Sequence, residues 1–485
     1  TALTIPFHKT VNQVLSLILS WLISLVFVVE MIAKKILQSY YPLSTLGTAA
    51  DNKLTDYADV IASAVGRSVP IIAVFFLPAL FLTIFGRRLL GFERYDWKLS
   101  GVLAAGMVIF HLVALGMIHL PWGGDMTPGR LYKMDTNADD QVEQLGLLTM
   151  FRLDVKHMIV PVKNDLDSDF STIGNLGDSS STGDGSGDTS EDPGPVIDTS
   201  PNVMDVDLTA LAEGTTNKDI QWLCSYFNSV TPTKKNEYTG MFEGYNVIFF
   251  TLEGFSGYVI DPELTPTLYK LTHEGFVFNN FYTALHYTST SNGECQNLLG
   301  LYPKNGNPIT MKRTGVLGTD CYFSLAQQLG RLGYQTLGYH NNGDMYGRAV
   351  SHTNLGYDWK YYQHGLDCEM NASGTDKLWP QRDSYMIEAS VDDYINSDQP
   401  FHVYYLTISG HTPYSWNWVA RQYKDRVSSL PYSEKTQAYI ATAMEVDKAL
   451  ETLIQKLDEA GKLDKTLIVA APDHVPYFDI DILEE

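Results

Sequence analysis

Four apolar runs in the second half of this 485-residue chain each end in a polar residue, and this recurrence limits the possible folds. The runs are YNVIFFTLEG, TLGYHNN, FHVYYLTISGH and KTLIVAAPDH, ending at Glu253, His340, His411 and the pair Asp473 and His474. Buried strands of a parallel sheet have this near-continuous apolar character, and parallel α/β domains carry their sites at the carboxyl ends of the strands. The pattern therefore predicts where the chemistry lies.

Helical patterns alternate with these strand patterns. They cover residues 265–274, 323–332, 383–394 and 433–460. Alternation of this kind is typical of a doubly wound α/β sheet domain, and we predict one over residues 201–485, with its sheet starting near Tyr245.

Three N-terminal segments are apolar and long enough to cross a bilayer as helices. They lie at about 11–33, 68–86 and 101–120, within a predicted transmembrane region 1–120. The second and third contain no Asp, Glu, Lys or Arg, whereas the first contains serines and Glu30. The sequence thus predicts a multi-pass membrane protein.

Charge around the spans favours one orientation. The loop after the second span carries Arg87, Arg88 and Arg94, and positive loops tend to stay in the cytoplasm. The third span would then run outward and leave the rest of the chain outside the cell. Lys34 and Lys35, directly after the first span, oppose this orientation.

Two segments connect the spans to the sheet domain. Residues 121–163 form a juxtamembrane segment with an amphipathic stretch, which could lie on the outer membrane face or pack against the globular domain. Residues 164–200 are rich in Ser, Gly and Asp and contain no Lys or Arg, so they are predicted to be a disordered acidic linker.

Charge and cysteine spacing exclude some classes of site. The net charge of −22 argues against a nucleic-acid partner, because phosphate backbones are bound by basic faces. The four cysteines (Cys224, Cys295, Cys321, Cys368) have no zinc-site spacing, and either a disulfide or buried unpaired thiols would fit them.

Glu253, Asp473 and His474 offer two carboxylates and an imidazole at predicted strand ends. Such a donor set suits Mn²⁺, Zn²⁺ or Mg²⁺. Taken singly, Glu253 could cap a following helix, and an isolated histidine is often only hydrogen-bonded in the core. Their recurrence at strand ends favours a metal site.

A hydroxyl cluster, HYTSTSNGE, precedes a short apolar helix pattern and contains Thr290. One hydroxyl would be explained as a helix N-cap, but the cluster has four. A helix N-terminus also binds anions, so a hydroxyl there beside a metal could attack a phosphate. A Thr or Ser of this cluster, which is centred on Thr290, would then be the nucleophile and the fourth metal ligand.

Arg348 lies in a loop with His340, Tyr346 and His352. A guanidinium can hold two phosphate oxygens, and imidazoles can bind a polar headgroup or transfer a proton. For Arg348 alone, a solvated loop charge is the simpler interpretation. His411, directly after a strongly apolar run, is the better candidate for a functional residue.

These motifs together resemble the lipoteichoic acid synthase family, which consists of membrane-anchored phosphoglycerol transferases with a sulfatase or alkaline phosphatase fold. The matching elements, in order, are LEGFS, TSTSNGE, the loop from His340 to Arg348, SGHTPY and PDH, all after several apolar spans. The resemblance implies Glu253, Thr290, Asp473 and His474 as metal ligands. It implies one divalent metal, typically Mn²⁺, with Mg²⁺ as the alternative.

The resemblance also implies a reaction in a Gram-positive cell wall pathway. Thr290 would take glycerol phosphate from phosphatidylglycerol and pass it to a growing glycerol phosphate chain. Arg348 and His411 would act as catalytic residues, and His340, Tyr346, Arg348 and His411 would bind the substrate. A phosphodiesterase or sulfatase-type hydrolase, or a non-catalytic protein that binds headgroups, remains the alternative.

The chain departs from the family pattern in several places. Tyr346 replaces an expected Trp, and Asn292 replaces a common Asp. Three spans are visible where five are usual, and the chain ends 11 residues after His474. We therefore expect that both termini of a longer protein are missing and that the fragment could be inactive.

Overall fold

The computed structural model describes residues 7–37, 40–41, 43, 58–92, 96–120, 127–133, 138–160, 197–203, 206–283, 290–302, 311, 323–476 and 482–485. Tertiary contacts divide the chain into one unit of residues 1–161 with 245–485 and a second unit of residues 162–244. The larger unit thus resumes at 245, where the sheet starts, and not at the predicted boundary of 201. Most of the predicted linker 164–200 lies outside the described residues.

Three N-terminal helices are long and apolar enough to cross a membrane, as predicted: α1 (Lys9–Leu37), α2 (Ala58–Leu89) and α3 (Trp97–Ile118). Helices α1 and α2 are antiparallel. Trp21 Nε1 donates to Thr83 Oγ1 at 3.1 Å near one end, and Lys35 Nζ donates to Ser68 Oγ at 3.4 Å near the other. The serines and Glu30 that weaken the first apolar run lie on the buried side of α1.

Three shorter helices follow: α4 (Pro128–Lys133), α5 (Ala138–Leu145) and α6 (Leu147–Ile159). The amphipathic stretch forms α6, whose Leu147 and Met150 pack in a cluster with Val26 and Phe27 of α1. The Lys34 Nζ atom lies 2.6 Å from Asp139 Oδ1, so α5 lies beside the end of α1.

The smaller unit contains α7 (Leu208–Glu213) and α8 (Lys218–Ser229). Asp207 accepts a hydrogen bond from Ala210 N, and Asn217 accepts one from Asp219 N, so each helix begins with a side-chain cap. Cys224 is buried here. The three described cysteines, Cys224, Cys295 and Cys368, are buried and form no disulfide, which agrees with the second of the two interpretations.

The sheet has six strands in the order β4-β3-β2-β5-β1-β6, and every pairing is parallel. The strands are β1 (Asn246–Leu252), β2 (Gln335–His340), β3 (Asp358–Tyr362), β4 (Gly365–Leu366), β5 (Phe401–Leu406) and β6 (Thr466–Pro472). After β1 the chain forms β2, β3 and β4, which all lie on one side of β1 in the sheet. It then returns to form β5 beside β1 on that side and β6 on the other side of β1. This reversal beside β1 opens a crevice at the carboxyl ends.

Helices lie between the strands: α9 (Pro266–Glu274), α10 (Thr290–Leu299), α11 (Leu325–Arg331), α12 (Arg348–Asn354), α13 (Asp383–Ser390), α14 (Lys424–Val427) and α15 (Glu434–Glu459). Because successive side chains of a strand point to opposite faces, β5 contributes to two cores. Val403 and Tyr405 pack with α13 and α15, whereas Tyr404 and Leu406 pack with α10 and α11. The predicted doubly wound α/β fold is confirmed.

Candidate metal and phosphate site

Glu253, Asp473 and His474 meet at the carboxyl ends of β1 and β6, which are neighbours in the sheet. One ligand atom of each lies within 4.8 Å of the others, and all three side chains are buried. The His474 Nε2 atom is 3.5 Å from Glu253 Oε1 and 3.3 Å from Asp473 Oδ2. Three predicted metal ligands are therefore brought together.

Hydrogen bonds around this cluster leave ligand atoms facing one another. His474 Nδ1 donates to Val475 O at 2.9 Å, which leaves Nε2 as the ring nitrogen that faces Glu253 and Asp473 and could ligate a metal. Asp473 Oδ1 accepts from Gly254 N at 2.8 Å, but no described group donates to the buried Oδ2 atom. A divalent cation between these atoms would satisfy both, so the residues fit a metal ion.

Burial and the nearby Asp473 carboxylate raise the pKa of Glu253 well above its ordinary value. Without a cation, the folded state then holds a proton that the unfolded state releases above pH 4.5, so stability falls as the pH rises. A bound cation replaces that proton, and its stabilising effect should grow with pH.

We therefore expect Mn²⁺ to raise the melting temperature more at about pH 8 than at about pH 5.5. Thermal unfolding of the detergent-solubilised chain with and without Mn²⁺ measures the difference. Glu253→Gln removes one of the groups for which a proton and the cation compete, so its Mn²⁺ shift should depend less on pH than that of the unmodified chain. An equal Mn²⁺ shift at both pH values in the unmodified chain would contradict the ligand assignment of Glu253.

Thr290 is the first residue of α10, and its Oγ1 donates a hydrogen bond to Glu253 Oε2 at 3.0 Å. The predicted nucleophile thus lies in the same site as Glu253, Asp473 and His474, which we call the acid–histidine cluster. The unsatisfied N–H groups and the dipole of the helix favour an anion at this position. Thr288 and Ser289, two further hydroxyl residues of the predicted cluster, lie outside the described residues.

Gly293 sets how closely α10 approaches β6. A Cβ atom at this position would overlap the Cα, Cβ and carbonyl oxygen of Asp473. Only glycine lets the first turn of α10 lie directly on the end of β6. The glycine of TSNGE, which carried no role in the sequence interpretation, is thus what brings Thr290 to the ligands.

Arg348 is not a solvated loop charge. It begins α12, its side chain is 3% exposed, and its Nε and Nη2 atoms each lie 2.9 Å from Glu294 Oε2. His352, one turn later, contacts Glu294 Oε1 at 2.9 Å, and Tyr404 donates to the same oxygen at 3.3 Å. Although burial opposes it, the charge of Arg348 lowers the pKa of Glu294 to about 2.

Glu294 is the site residue that sequence analysis missed. It lies on α10 four residues after Thr290, so one helix carries both the candidate nucleophile and the carboxylate that holds Arg348. The only available signal was its place in TSNGE, since its partners Arg348 and His352 are more than 50 positions away in sequence.

Glu294→Gln is expected to cost about 3–5 kcal/mol of stability, because it leaves the buried guanidinium without its counter-charge. Arg348→Gln should cost a similar amount, and the double variant should be more stable than the two losses added together. Thermal unfolding of the three variants measures this coupling. Glu274→Gln, on an exposed helix surface, is the control, and simple additivity would contradict a coupled pair.

His340 and His411 both present an unprotonated ring nitrogen. His340 Nδ1 donates to Leu406 O at 3.0 Å, and burial with the charge of Arg348 lowers the pKa of His340 to about 3. His411 Nδ1 donates to Thr412 O at 2.6 Å, and burial lowers the pKa of His411 as well. Neutral imidazoles accept protons, so neither is suited to protonate a leaving oxygen first.

The loop after β5 that carries His411 is held by a buried carboxylate. Asp383 accepts hydrogen bonds from Ile408 N at 2.8 Å and Ser409 N at 3.1 Å. Burial raises the pKa of Asp383 to about 7. Tyr346, the remaining predicted substrate residue, has its ring 5.2 Å from the Arg348 guanidinium and a left-handed backbone with φ of 61°.

Comparison with known proteins gives a family for this arrangement. Residues 246–480 match the sulfatase family, and this span contains the whole sheet and each site residue described above. The chain is 26% identical to lipoteichoic acid synthase-like YvgJ of Bacillus subtilis over 241 residues, which is 48% of this chain and 37% of that protein. It is 26% identical to lipoteichoic acid synthase 2 of the same organism over 293 residues, 58% of this chain and 42% of that protein.

The lipoteichoic acid synthase LtaP from Listeria monocytogenes superposes with a TM-score of 0.41 and 22% identity over 50% of this chain and 58% of that chain. The chain spans about two fifths of the length of the two Bacillus relatives. The fold and site define a sulfatase-type α/β domain. Residues 246–480 match the sulfatase family, and the chain is similar to lipoteichoic acid synthases, the resemblance that its motifs predicted.

Proposed function

We propose that this chain transfers glycerol phosphate from phosphatidylglycerol to a growing lipoteichoic acid chain, in two steps through a phosphothreonine at Thr290. One observation carries the proposal: the Thr290 hydroxyl lies at a helix N-terminus, 3.0 Å from Glu253 in the acid–histidine cluster. A candidate nucleophile, a helix N-terminus that can bind an anion, and the candidate metal ligands thus lie in one site.

In the first step Thr290 Oγ1 forms a bond to the phosphorus of the donor, and the bond to the diacylglycerol oxygen breaks. The hydroxyl proton leaves along the hydrogen bond to Glu253, and the diacylglycerol oxygen takes up a proton. The N–H groups of α10 face the phosphate oxygens. A divalent cation on Glu253, Asp473 and His474 would lower the pKa of the threonine hydroxyl and offset charge on the phosphate.

In the second step the terminal hydroxyl oxygen of the growing chain bonds to the phosphorus, the bond from the phosphorus to Thr290 Oγ1 breaks, and the threonine oxygen takes up a proton. His411, neutral and with Nε2 unprotonated, accepts the proton of that hydroxyl. Arg348 has its Nε and Nη2 atoms directed at Glu294, so only its remaining guanidinium edge is available to a phosphate. Mn²⁺ is the proposed metal, with Mg²⁺ as the alternative.

We further propose that the protein is a multi-pass membrane protein with its sheet domain outside the cell. The antiparallel α1 and α2 leave Arg87 and Arg88 at the end opposite Lys34 and Lys35. Lys34 forms an ion pair with Asp139, which follows the third span. Lys34 and Lys35 still oppose this orientation, because the positive-inside tendency counts basic residues and not net charge.

The test supplies the 485-residue chain in detergent with fluorescent phosphatidylglycerol, Mn²⁺ and a short glycerol phosphate acceptor. We expect diacylglycerol release together with lengthening of the acceptor, and loss of both when a chelator removes the metal. Free glycerol phosphate without lengthening would identify a hydrolase of the same fold. Binding of the lipid without any diacylglycerol would favour a headgroup-binding protein.

A further inference from the structure

The loop that follows β5 carries His411 and is fixed from two sides. On one side it lies against the end of β1. Glu253 N donates to Thr407 Oγ1 at 2.8 Å, and a Cβ atom at Gly410 would overlap the carbonyl oxygen of Glu253. On the other side the loop is bound to the start of α13 through Asp383. The first attachment involves a candidate metal ligand, and the second does not.

The Asp383 side chain is 1% exposed and accepts three hydrogen bonds from this loop. Ile408 N donates to Oδ1 at 2.8 Å, Ser409 N donates to Oδ2 at 3.1 Å, and the Ser409 hydroxyl donates to Oδ2 as well. The Ile408 carbonyl oxygen in turn accepts from His411 N at 3.1 Å. Ile408 thus connects the carboxylate of Asp383 to the backbone of His411.

A carboxylate suits these donors, because it has two acceptor oxygens and no donor when it is ionised. An amide at this position would direct its NH₂ group at one of the two main-chain N–H groups and leave that group without an acceptor. Burial raises the pKa of Asp383 to about 7, so the folded chain keeps this charge at a cost in stability. Stability alone is therefore a poor explanation for a carboxylate here.

The start of α13 is itself bound to two other elements. Glu445 of α15 accepts hydrogen bonds from Ser384 N at 3.0 Å and from Ser384 Oγ at 2.6 Å. Asn341, the residue after β2, donates through its Nδ2 atom to Arg382 O at 2.9 Å. Asp383 therefore lies on an anchored turn that connects the carboxyl end of β2 to that of β5.

We propose that Asp383 is a positioning residue for the second step of transfer, because it holds the loop of residues 407–411 where His411 meets the acceptor hydroxyl. This rests on the proposed function, in which His411 accepts the proton of that hydroxyl. The first step uses Thr290 and the acid–histidine cluster, which the contacts between the loop and β1 leave in place. Loss of the Asp383 contacts should therefore slow the second step more than the first.

The test measures the two steps separately in wild type, Asp383→Asn, Ser409→Ala and the control Asp447→Asn. Diacylglycerol released per chain without acceptor reports the first step, and lengthening of the acceptor reports the second. Asp383→Asn should slow lengthening about tenfold to a hundredfold, the effect of a displacement of about 1 Å, and leave the first step within about twofold. Phosphorylated Thr290 should then accumulate, which mass spectrometry detects.

Asp447 is the matched control, because its buried carboxylate accepts from Leu268 N at 2.7 Å in the first turn of α9. Asp447→Asn should lower the melting temperature and slow neither step selectively. An equal slowing of both steps by Asp383→Asn, or an unchanged rate of lengthening, overturns the positioning role.

Ser409→Ala keeps the two main-chain hydrogen bonds to Asp383 and removes only the hydroxyl, so a smaller selective loss of lengthening is expected. This variant decides the question if Asp383→Asn does not fold. A loss of lengthening that exceeds the loss of the first step then supports the positioning role, and an unchanged ratio of the two rates overturns it.

Hydrogen exchange keeps this inference separate from the transfer reaction. In Asp383→Asn a peptide that covers residues 407–412 should exchange faster than in wild type, because its amides lose an acceptor, whereas Asp447→Asn should leave this peptide unchanged. That result supports the hold on the loop even if wild type releases no diacylglycerol, in which case only the proposed function fails. Unchanged exchange in Asp383→Asn overturns the hold on the loop.

Discussion

Thr290→Ala is expected to reduce diacylglycerol release from phosphatidylglycerol by about a thousandfold or more, the effect of losing a covalent nucleophile. The Thr290 hydroxyl lies 3.0 Å from Glu253 Oε2 at the start of α10, and no other hydroxyl is described at that position. Release of the fluorescent diacylglycerol over time measures the loss.

Thr290→Ser keeps a hydroxyl and should retain part of the activity, whereas Thr452→Ala, on the exposed side of α15, should behave as wild type. Mn²⁺ should still raise the melting temperature of Thr290→Ala, because Glu253, Asp473 and His474 remain. Diacylglycerol release by Thr290→Ala at the wild-type rate would rule out the phosphothreonine.

Gly293→Ala is expected to remove both transfer activity and the Mn²⁺-dependent rise in melting temperature. The added Cβ would overlap backbone and side-chain atoms of Asp473, so α10 or the end of β6 must move. Either movement separates Thr290 from the metal ligands, and a displacement of about 1 Å at a catalytic group can cost a hundredfold in rate. Activity and thermal unfolding with Mn²⁺ measure the two effects.

Gly330→Ala provides the matched control for this substitution. Gly330 also lies in a helix, α11, but its nearest Cβ contact is an ordinary 3.9 Å to Thr336 Cγ2. Alanine there should keep activity and add up to about 1 kcal/mol of stability through its higher helix propensity. If Gly293→Ala behaves like Gly330→Ala, close packing of α10 on β6 is not needed for the site.

Much of the fold could be predicted because its signals are local. The apolar runs that end at Glu253 and His411 are the buried strands β1 and β5, and the run that ends at Asp473 is the partly buried edge strand β6. The helical patterns between them correspond to α9, α11, α13 and α15. The short strands β3 and β4 were not predicted. Their half-exposed residues, as in DWKYY, give no continuous apolar run, and their pairing depends on β2.

The residues of the candidate metal site could be predicted, but the ion pairs around it could not. Glu253, Asp473 and His474 are recognisable at strand ends, since parallel strands bring their carboxyl ends to one edge. Arg348 was expected to be solvated or to hold phosphate, yet it is buried against Glu294. That pairing joins α10 to α12 through residues 54 positions apart, and no local pattern reports it.

By itself the sequence determined the parallel α/β class, the three apolar spans and the candidate metal-ligating residues, because burial and strand patterns appear as local periodicity. Only the tertiary structure decided which charged groups are paired. Glu294 neutralises Arg348, and Glu253, Asp473 and His474 meet at one edge of the sheet. Charge compensation depends on distances between side chains remote in sequence, and these distances exist only once the helices have packed on the sheet.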